Sequence, residues 1–274
     1  MINLSSLWAI PLVSLASVIS LSMFINEALT KTIDYNSFLI DQESNSLNSN
    51  LLIPRNSRYV VEFRENTENN WLIIVNNQPT FWVKDLTSAA LVTVQLSILM
   101  NATDFDANRF EPVATNDEYI GKYKDVILFR IAKTEVTNPS LNLTQWINNL
   151  RVNGGAEPLT LAEAQTQMHQ LIDTGEQIKG IASWYGPYFQ GRQTASGEQF
   201  EQQDFTAAHP SLPFDTYLKV TNQYNGKSIV VRINDRGPYF GDRNLDLSHA
   251  AAIALNSDEV GVVPITAAVL VAAK

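Results

Sequence analysis

The sequence contains no cysteine. Disulfide bridges, thiolate metal sites, a cysteine nucleophile and lipid carried on cysteine are therefore excluded within it. Histidine is nearly as scarce. His169, His209 and His249 are the only three, and none stands at metal-ligand spacing from another, so no metal site is expected. Basic residues are outnumbered, with 19 Lys and Arg against 28 Asp and Glu. The net charge of −9 argues against nucleic acid as a partner, because phosphate binding needs a basic face. The deficit is uneven. Residues 1–178 hold 11 basic and 19 acidic side chains, while residues 179–274 hold 8 and 9. Two units of different character are expected, and 274 residues are enough for each to bury a core.

Long apolar runs are also rare. One stretch, "LWAIPLVSLASVISLSMFI" at 7–25, is nearly free of charge. Its length suits a signal-peptide core and is borderline for a membrane span. No Lys or Arg precedes it, and no clean small-residue cleavage site follows. The expectation is export, with residues 1–29 a signal peptide or a retained membrane anchor; a buried core helix is the alternative. Residues 30–57 then read as a flexible linker, rich in Asn and Ser around "DQESNSLNSN".

Residues 58–175 read as a small α+β accessory domain of unknown role. "RYVVEF", "WLIIV" and "TFWVK" are strand-like, and "NNQP" signals a hairpin between the last two. "LVTVQLSILM" at 91–100 leans to helix, with Asp85 or Thr87 near its N-cap. "RFEPVAT" and "DVILFRIA" suggest further strands. Apolar residues at helical spacing predict helices over 140–153, ended by Asn148 and Asn149, and over 158–173. Trp71, Trp82 and Trp146 read as core. His169 reads as lying on an exposed helix face.

From Lys179 the texture changes to dense Gly, Pro and aromatic residues with period-2 runs. "YLKVTN" and "KSIVVRIN" are joined by "QYNG", whose Asn225-Gly226 is a strong hairpin signal. "PITAAVLVA" adds a strand and "SHAAAIAL" a short helix. Many short strands with one helix predict a closed β-barrel, since closure removes exposed edges.

Five motifs then occur in order: "ASWYG" (182–186), "TASGE" (194–198), "TAAHPSLPF" (206–214), "VTNQYNGKSIVVRINDRGP" (220–238) and "LDLSHAA" (245–251). In these the chain resembles the RlpA-like (rare lipoprotein A) family, over roughly residues 179–272. The first 178 residues fall outside the resemblance. It implies a six-stranded double-psi β-barrel over 176–274. It also implies an endolytic lytic transglycosylase of bacterial peptidoglycan, located in the periplasm or cell envelope. Such an enzyme prefers glycan strands without stem peptides and leaves 1,6-anhydro-muramyl ends. No organic cofactor or metal is implied. Partners would be glycan strands and division or wall-synthesis proteins met through the N-terminal domain. A non-catalytic, expansin-like barrel that binds glycan or loosens the wall is the other reading. The family's founding members are lipoproteins, and this sequence has no cysteine for the lipid.

Lytic cleavage needs a general acid for the leaving oxygen and a base for the C6 hydroxyl that attacks C1 in place of water; one carboxyl can serve as both in turn. Asp235, at the end of a strand and before Gly237-Pro238, is the first choice, and the family places an essential Asp there. Its structural alternative is a turn cap paired with Arg232 or Arg236. Asp246 is the rival, readable equally as a strand residue leading into a helix cap. The resemblance gives Glu198 and His209 catalytic roles, either of which can instead be structural. Trp184 and Tyr185, with Tyr188 and Phe189, offer faces for sugar rings. Arg192, Arg232 and Arg236 suit the lactyl carboxylate of muramic acid, and Thr194 lies in the same groove.

Overall fold

The computed structural model describes residues 57–66, 70–239 and 241–273. The expected export segment and the linker before residue 57 lie outside these. All described residues fall within one compact unit. It contains two main hydrophobic cores, one drawn from residues 59–168 and the other from residues 182–269. Among the described residues no helix is long and apolar enough to cross a membrane.

The first core is covered by two antiparallel three-stranded sheets. One consists of β1 (Val61–Glu65), β2 (Trp71–Val75) and β3 (Gln78–Val83). Asn76 and Asn77 turn β2 into β3, both at positive φ, which asparagine tolerates. Helix α1 (Leu86–Met100) follows, capped by Asp85, whose side chain accepts from the Ser88 N–H at 2.9 Å. The helix expected at 91–100 is thus present and begins where its cap was expected. Ala89, Val92, Leu96 and Met100 lie on its buried face. The second sheet is β4 (Phe110–Ala114), β5 (Glu118–Tyr123) and β6 (Val126–Ala132). Strand β5 was not read from the sequence.

Helix α2 (Pro139–Asn153) does not end at Asn148 and Asn149. Those amides instead donate to Leu159 O and Thr80 O, each at 2.8 Å, tying neighbouring segments to the helix. Helix α3 (Leu161–Met168) stops earlier than its apolar period suggests. Gln170 turns the chain at φ 50, and Leu171 and Ile172 pair with Ala272 and Val271 as strand. Two more strand pairings outweigh one more helical turn.

The second core fills a closed barrel of β7 (Leu171–Trp184), β8 (Thr206–Ala208), β9 (Tyr217–Asn222), β10 (Ser228–Asp235), β11 (Leu245–Leu247) and β12 (Val263–Ala272). The order around it is β10-β8-β11-β7-β12-β9. β10 runs parallel to β8 and β11 parallel to β7; the other pairs are antiparallel. Helix α4 (His249–Ala254) is capped by Ser248. Close packing of the long β7 depends on Gly180, where a Cβ would lie 1.8 Å from Asn244 Oδ1. That oxygen accepts from Ile181 N–H at 3.0 Å.

Helix α3 joins the two cores. Ala164 and Met168 belong to the first, and Leu161 packs against the second. Gln165 Oε1 accepts the Val230 N–H at 2.7 Å, on a stretch of β10 that β8 does not reach.

Candidate active site

The site is organised by the end of β10. Against β8 the register shifts between Ile233 and Asp235. Plain alternation would carry Asp235 to the core face shared by Val231 and Ile233. The bulge breaks that alternation and re-aims the side chain. Asp235 Oδ2 accepts from the Tyr185 hydroxyl at 2.7 Å. Oδ1 accepts two backbone N–H groups, Ala195 and Arg236, each at 2.8 Å. Every contact uses the carboxyl as acceptor, and Oδ2 carries one donor where Oδ1 carries two. The structural alternative, pairing with the Arg232 or Arg236 side chain, is not found among the described residues. Arg232 grips Glu198 and Asp215, and the Arg236 guanidinium lies 3.8 Å over the Phe214 ring.

The "TASGE" loop serves two groups at once. Thr194 N–H donates to Glu198 O at 2.7 Å, and Gly197 closes the turn at φ +95, where a side chain is strained. Ser196 N–H donates to Asn234 O at 3.3 Å, which docks the loop on the bulge and aims the Ala195 amide at Asp235. Thr194 is therefore a buried turn residue. Glu198 accepts both Arg232 nitrogens, at 2.8 and 2.7 Å, and Asn234 Nδ2 at 3.0 Å. The Arg232 hydrogen bonds hold the Glu198 carboxyl down to about 2, against a smaller opposing effect of burial. Arg232 is correspondingly raised, by Glu198 first.

His209 follows β8. Its N–H donates to Asp235 O at 3.2 Å, and its Nδ1 accepts from Ser211 and Leu212 N–H at 3.1 and 2.9 Å. The neutral ring thus carries its proton on Nε2. Burial, then the Arg236 charge, lowers its pKa. Tyr185 is raised well above the ordinary phenol value, by burial first and then by its bond to Asp235. Its ring packs against Phe189 and Phe200. Tyr185 is thus a partner of Asp235 as well as an aromatic face.

Asp246 sits in the middle of β11, opposite Ser183 of β7. It accepts from the Ser183 hydroxyl and, at 3.2 Å, from Arg243 Nη1, which also donates to Ser183 at 2.6 Å. This network ties β11 to β7, and Asp246 shares no hydrogen bond with Asp235. Trp184 does not offer an open face. His249 stacks on it at 4.7 Å, and its Nε1–H donates to Asp258 O at 3.1 Å. Arg192 lies over the rings of Tyr188 and Phe189, 5.1 and 5.5 Å from their centroids, on an exposed rim. Residues missed from the sequence are Asn234, Asp215, Ser183 and Arg243. Only Asn234 had a legible signal, its place beside Asp235 at a strand end. Among the described residues no three His, Asp or Glu side chains gather as metal ligands would.

A family model described as lytic transglycolase matches residues 177–267. A probable endolytic peptidoglycan transglycosylase RlpA from Synechocystis sp. is 44% identical over 189 residues, covering 64% of this chain and 59% of that protein. The endolytic peptidoglycan transglycosylase RlpA of Campylobacter jejuni is 39% identical, covering 48% and 47%. The Pseudomonas aeruginosa protein of the same name is 54% identical, covering 30% and 24%. The chain therefore spans 59% or less of the length of each of these relatives. The Synechocystis alignment is longer than the chain from residue 177 onward, so it takes in part of the α+β layer. That corrects the expectation that the first 178 residues resemble nothing in the family. Residues 177–267, which hold most of the six-stranded barrel, are thus similar to the lytic transglycolase family.

Proposed function

We propose that the chain is an endolytic peptidoglycan lytic transglycosylase in which Asp235 is the acting carboxyl. The observation that carries this reading is the hydrogen bonding of Asp235. Oδ1 is occupied by two amide N–H groups, and Oδ2 meets only the Tyr185 hydroxyl. A proton to be transferred therefore resides on Oδ2. It passes to the glycosidic oxygen as the bond to C1 of the muramyl sugar breaks. The C6 hydroxyl then attacks C1, and its proton returns to Oδ2 as the 1,6-anhydro ring closes. Glu198 stays ionised throughout and keeps Arg232 in place. His209 offers Nε2–H to substrate. The Tyr188 and Phe189 rims receive sugar rings.

The same proposal places the protein in the cell envelope, exported or anchored through residues 1–29. The glycan strand is its substrate, and strands lacking stem peptides are preferred. Division or wall-synthesis proteins would meet it through the α+β layer.

The test is digestion of purified glycan strands, with and without stem peptides, by the full chain, with anhydro-muramyl products read by mass spectrometry. Asp235→Asn should abolish product while the protein stays folded. Asp246→Asn should act through stability, and Glu198→Gln should leave reduced turnover. Product loss only in a folded Asp246→Asn would transfer the role to Asp246. Retained glycan without product from the wild type would make this a binding barrel.

A further inference from the structure

A muramyl sugar carries one group that can be anionic, its lactyl carboxylate. A stem peptide turns that group into a neutral amide. Telling the two apart beside Asp235 takes a cation with no partner of its own. Four arginines lie in the barrel sequence, and their contacts separate them. Arg232 is committed to Glu198 and Asp215, and Arg243 to Asp246 and Ser183. Arg192 lies over the Tyr188 and Phe189 rings on the exposed rim. The histidines do not supply the charge. His209 accepts two N–H groups at Nδ1, which holds its neutral form, and His249 stacks on Trp184. His169, expected on an exposed helix face, stacks instead on Tyr217 at 5.1 Å, and burial lowers it to about 4.

Arg236 differs from all of these. It follows the acting carboxyl in the chain, and its guanidinium forms no ion pair among the described residues. It is nonetheless fixed. One face lies 3.8 Å from the centre of the Phe214 ring, which packs against the barrel core. Nη1 donates to His209 O at 3.4 Å, and His209 N–H donates in turn to Asp235 O at 3.2 Å. Both holders of the guanidinium come from one loop, "HPSLPF" at 209–214. After burial, the Arg236 charge is what lowers the His209 pKa, so the two groups share one wall of the site. Nε and Nη2 donate to nothing among the described residues, and that edge of the fork matches the two oxygens of a carboxylate. Stacking has already removed much of the side chain's freedom, so less entropy is lost when an anion arrives.

We infer that Arg236 reads the lactyl carboxylate of the muramyl sugar held at Asp235, and that this contact selects glycan without stem peptides. The inference rests on the glycan-cleaving reading of the Asp235 site and assigns its selectivity to charge rather than to the bulk of the peptide. Arg236 is then a specificity-determining residue, while the proton stays with Asp235.

The test separates charge from bulk. Peptide-free glycan strands are compared with the same strands after their lactyl carboxylates have been coupled to methylamine, which removes the charge and adds one small group. Binding is read by titration calorimetry on the full chain carrying Asp235→Asn, and turnover by anhydro-muramyl products from the wild type. Charged strands should bind about tenfold tighter than amidated ones, with kcat/KM favouring them by a similar factor. Arg236→Gln should bring that ratio close to one by weakening the charged strands alone, whereas loss of stacking by itself would weaken both alike. Arg236→Lys, which keeps the charge without the fork, should restore part of the ratio. Arg192→Gln should leave it unchanged. The amidated strands require no change in the protein, so the comparison decides even if an Arg236 variant fails to fold. Equal binding of the two strand types, an unchanged ratio in folded Arg236→Gln, or no saturable binding would each overturn the inference. Tighter binding of charged strands with no anhydro product from the wild type would support this contact while removing the transglycosylase reading.

Discussion

Tyr185→Phe removes one hydroxyl and leaves the ring among Phe189 and Phe200. The lost donor, 2.7 Å from Oδ2, is one of three that fix Asp235. Asp235 becomes charged as it gives up its proton, and a hydrogen bond to a charged group contributes about 1.5–3 kcal/mol, so kcat should fall about 10- to 100-fold with KM little changed. Steady-state kinetics on glycan strands would show it. An equal rise in KM would mean that Tyr185 works as a sugar platform instead. At Glu198 the prediction concerns pH. Its carboxyl is held at about 2 in the folded chain against an ordinary 4.5. The folded value is the lower one, so the Arg232 pair contributes fully above about pH 4.5, and that contribution fades as pH falls towards 2. Thermal melts across that window should lose their slope in Glu198→Gln. The pair is partly exposed, so screening keeps the effect modest.

At the scale of elements, α3 is eight residues long and too short to hold by propensity alone. It relies on a capping box, in which Thr160 and Glu163 satisfy each other's backbone N–H groups, and on packing between two cores. Thr160→Ala should cost about 1 kcal/mol in urea unfolding, and Thr160→Ser should restore most of it. A cost near zero would mean that tertiary packing alone sets the helix. The sequence showed this helix by its period and misjudged its end. Nothing local in "HQLID" announces that β12, a hundred residues on, will claim Leu171 and Ile172. Strand β5 was missed for a related reason. "EYIGKY" has weak alternation, and its Gly121 is shielded by Phe129 of β6, a contact absent from the local pattern.

For the whole molecule, His169 reports on the joining of the two cores. It caps α3 and stacks on Tyr217 of the barrel. Burial lowers it from 6.5 to about 4, so the unfolded chain takes up its proton first as pH falls. Stability from this group is complete above about pH 6.5 and declines towards pH 4. His169→Gln should flatten the melting temperature between those values. A slope unchanged from wild type would show that the ring is solvated and the junction looser than described.

That the barrel closes, and which Asp and Glu it carries, were legible in the sequence itself. Period-2 runs, Asn225-Gly226 and Gly197 are local signals, and five motifs in fixed order constrain one family. What each acidic residue does was decided only by tertiary structure. Asp235 and Asp246 both have an arginine near them in the chain, yet the bulge at the end of β10 sends one towards Tyr185 and Ala195, while strand pairing gives the other to Ser183 and Arg243. Arg232 looked like a partner for Asp235 because it is close in sequence. It pairs instead with Glu198, 34 residues away, because residues on one strand do not meet when closure of the barrel brings a loop between them. Hydrogen bonds are short-ranged and directional, so partners across a closed sheet become legible only when the sheet has closed.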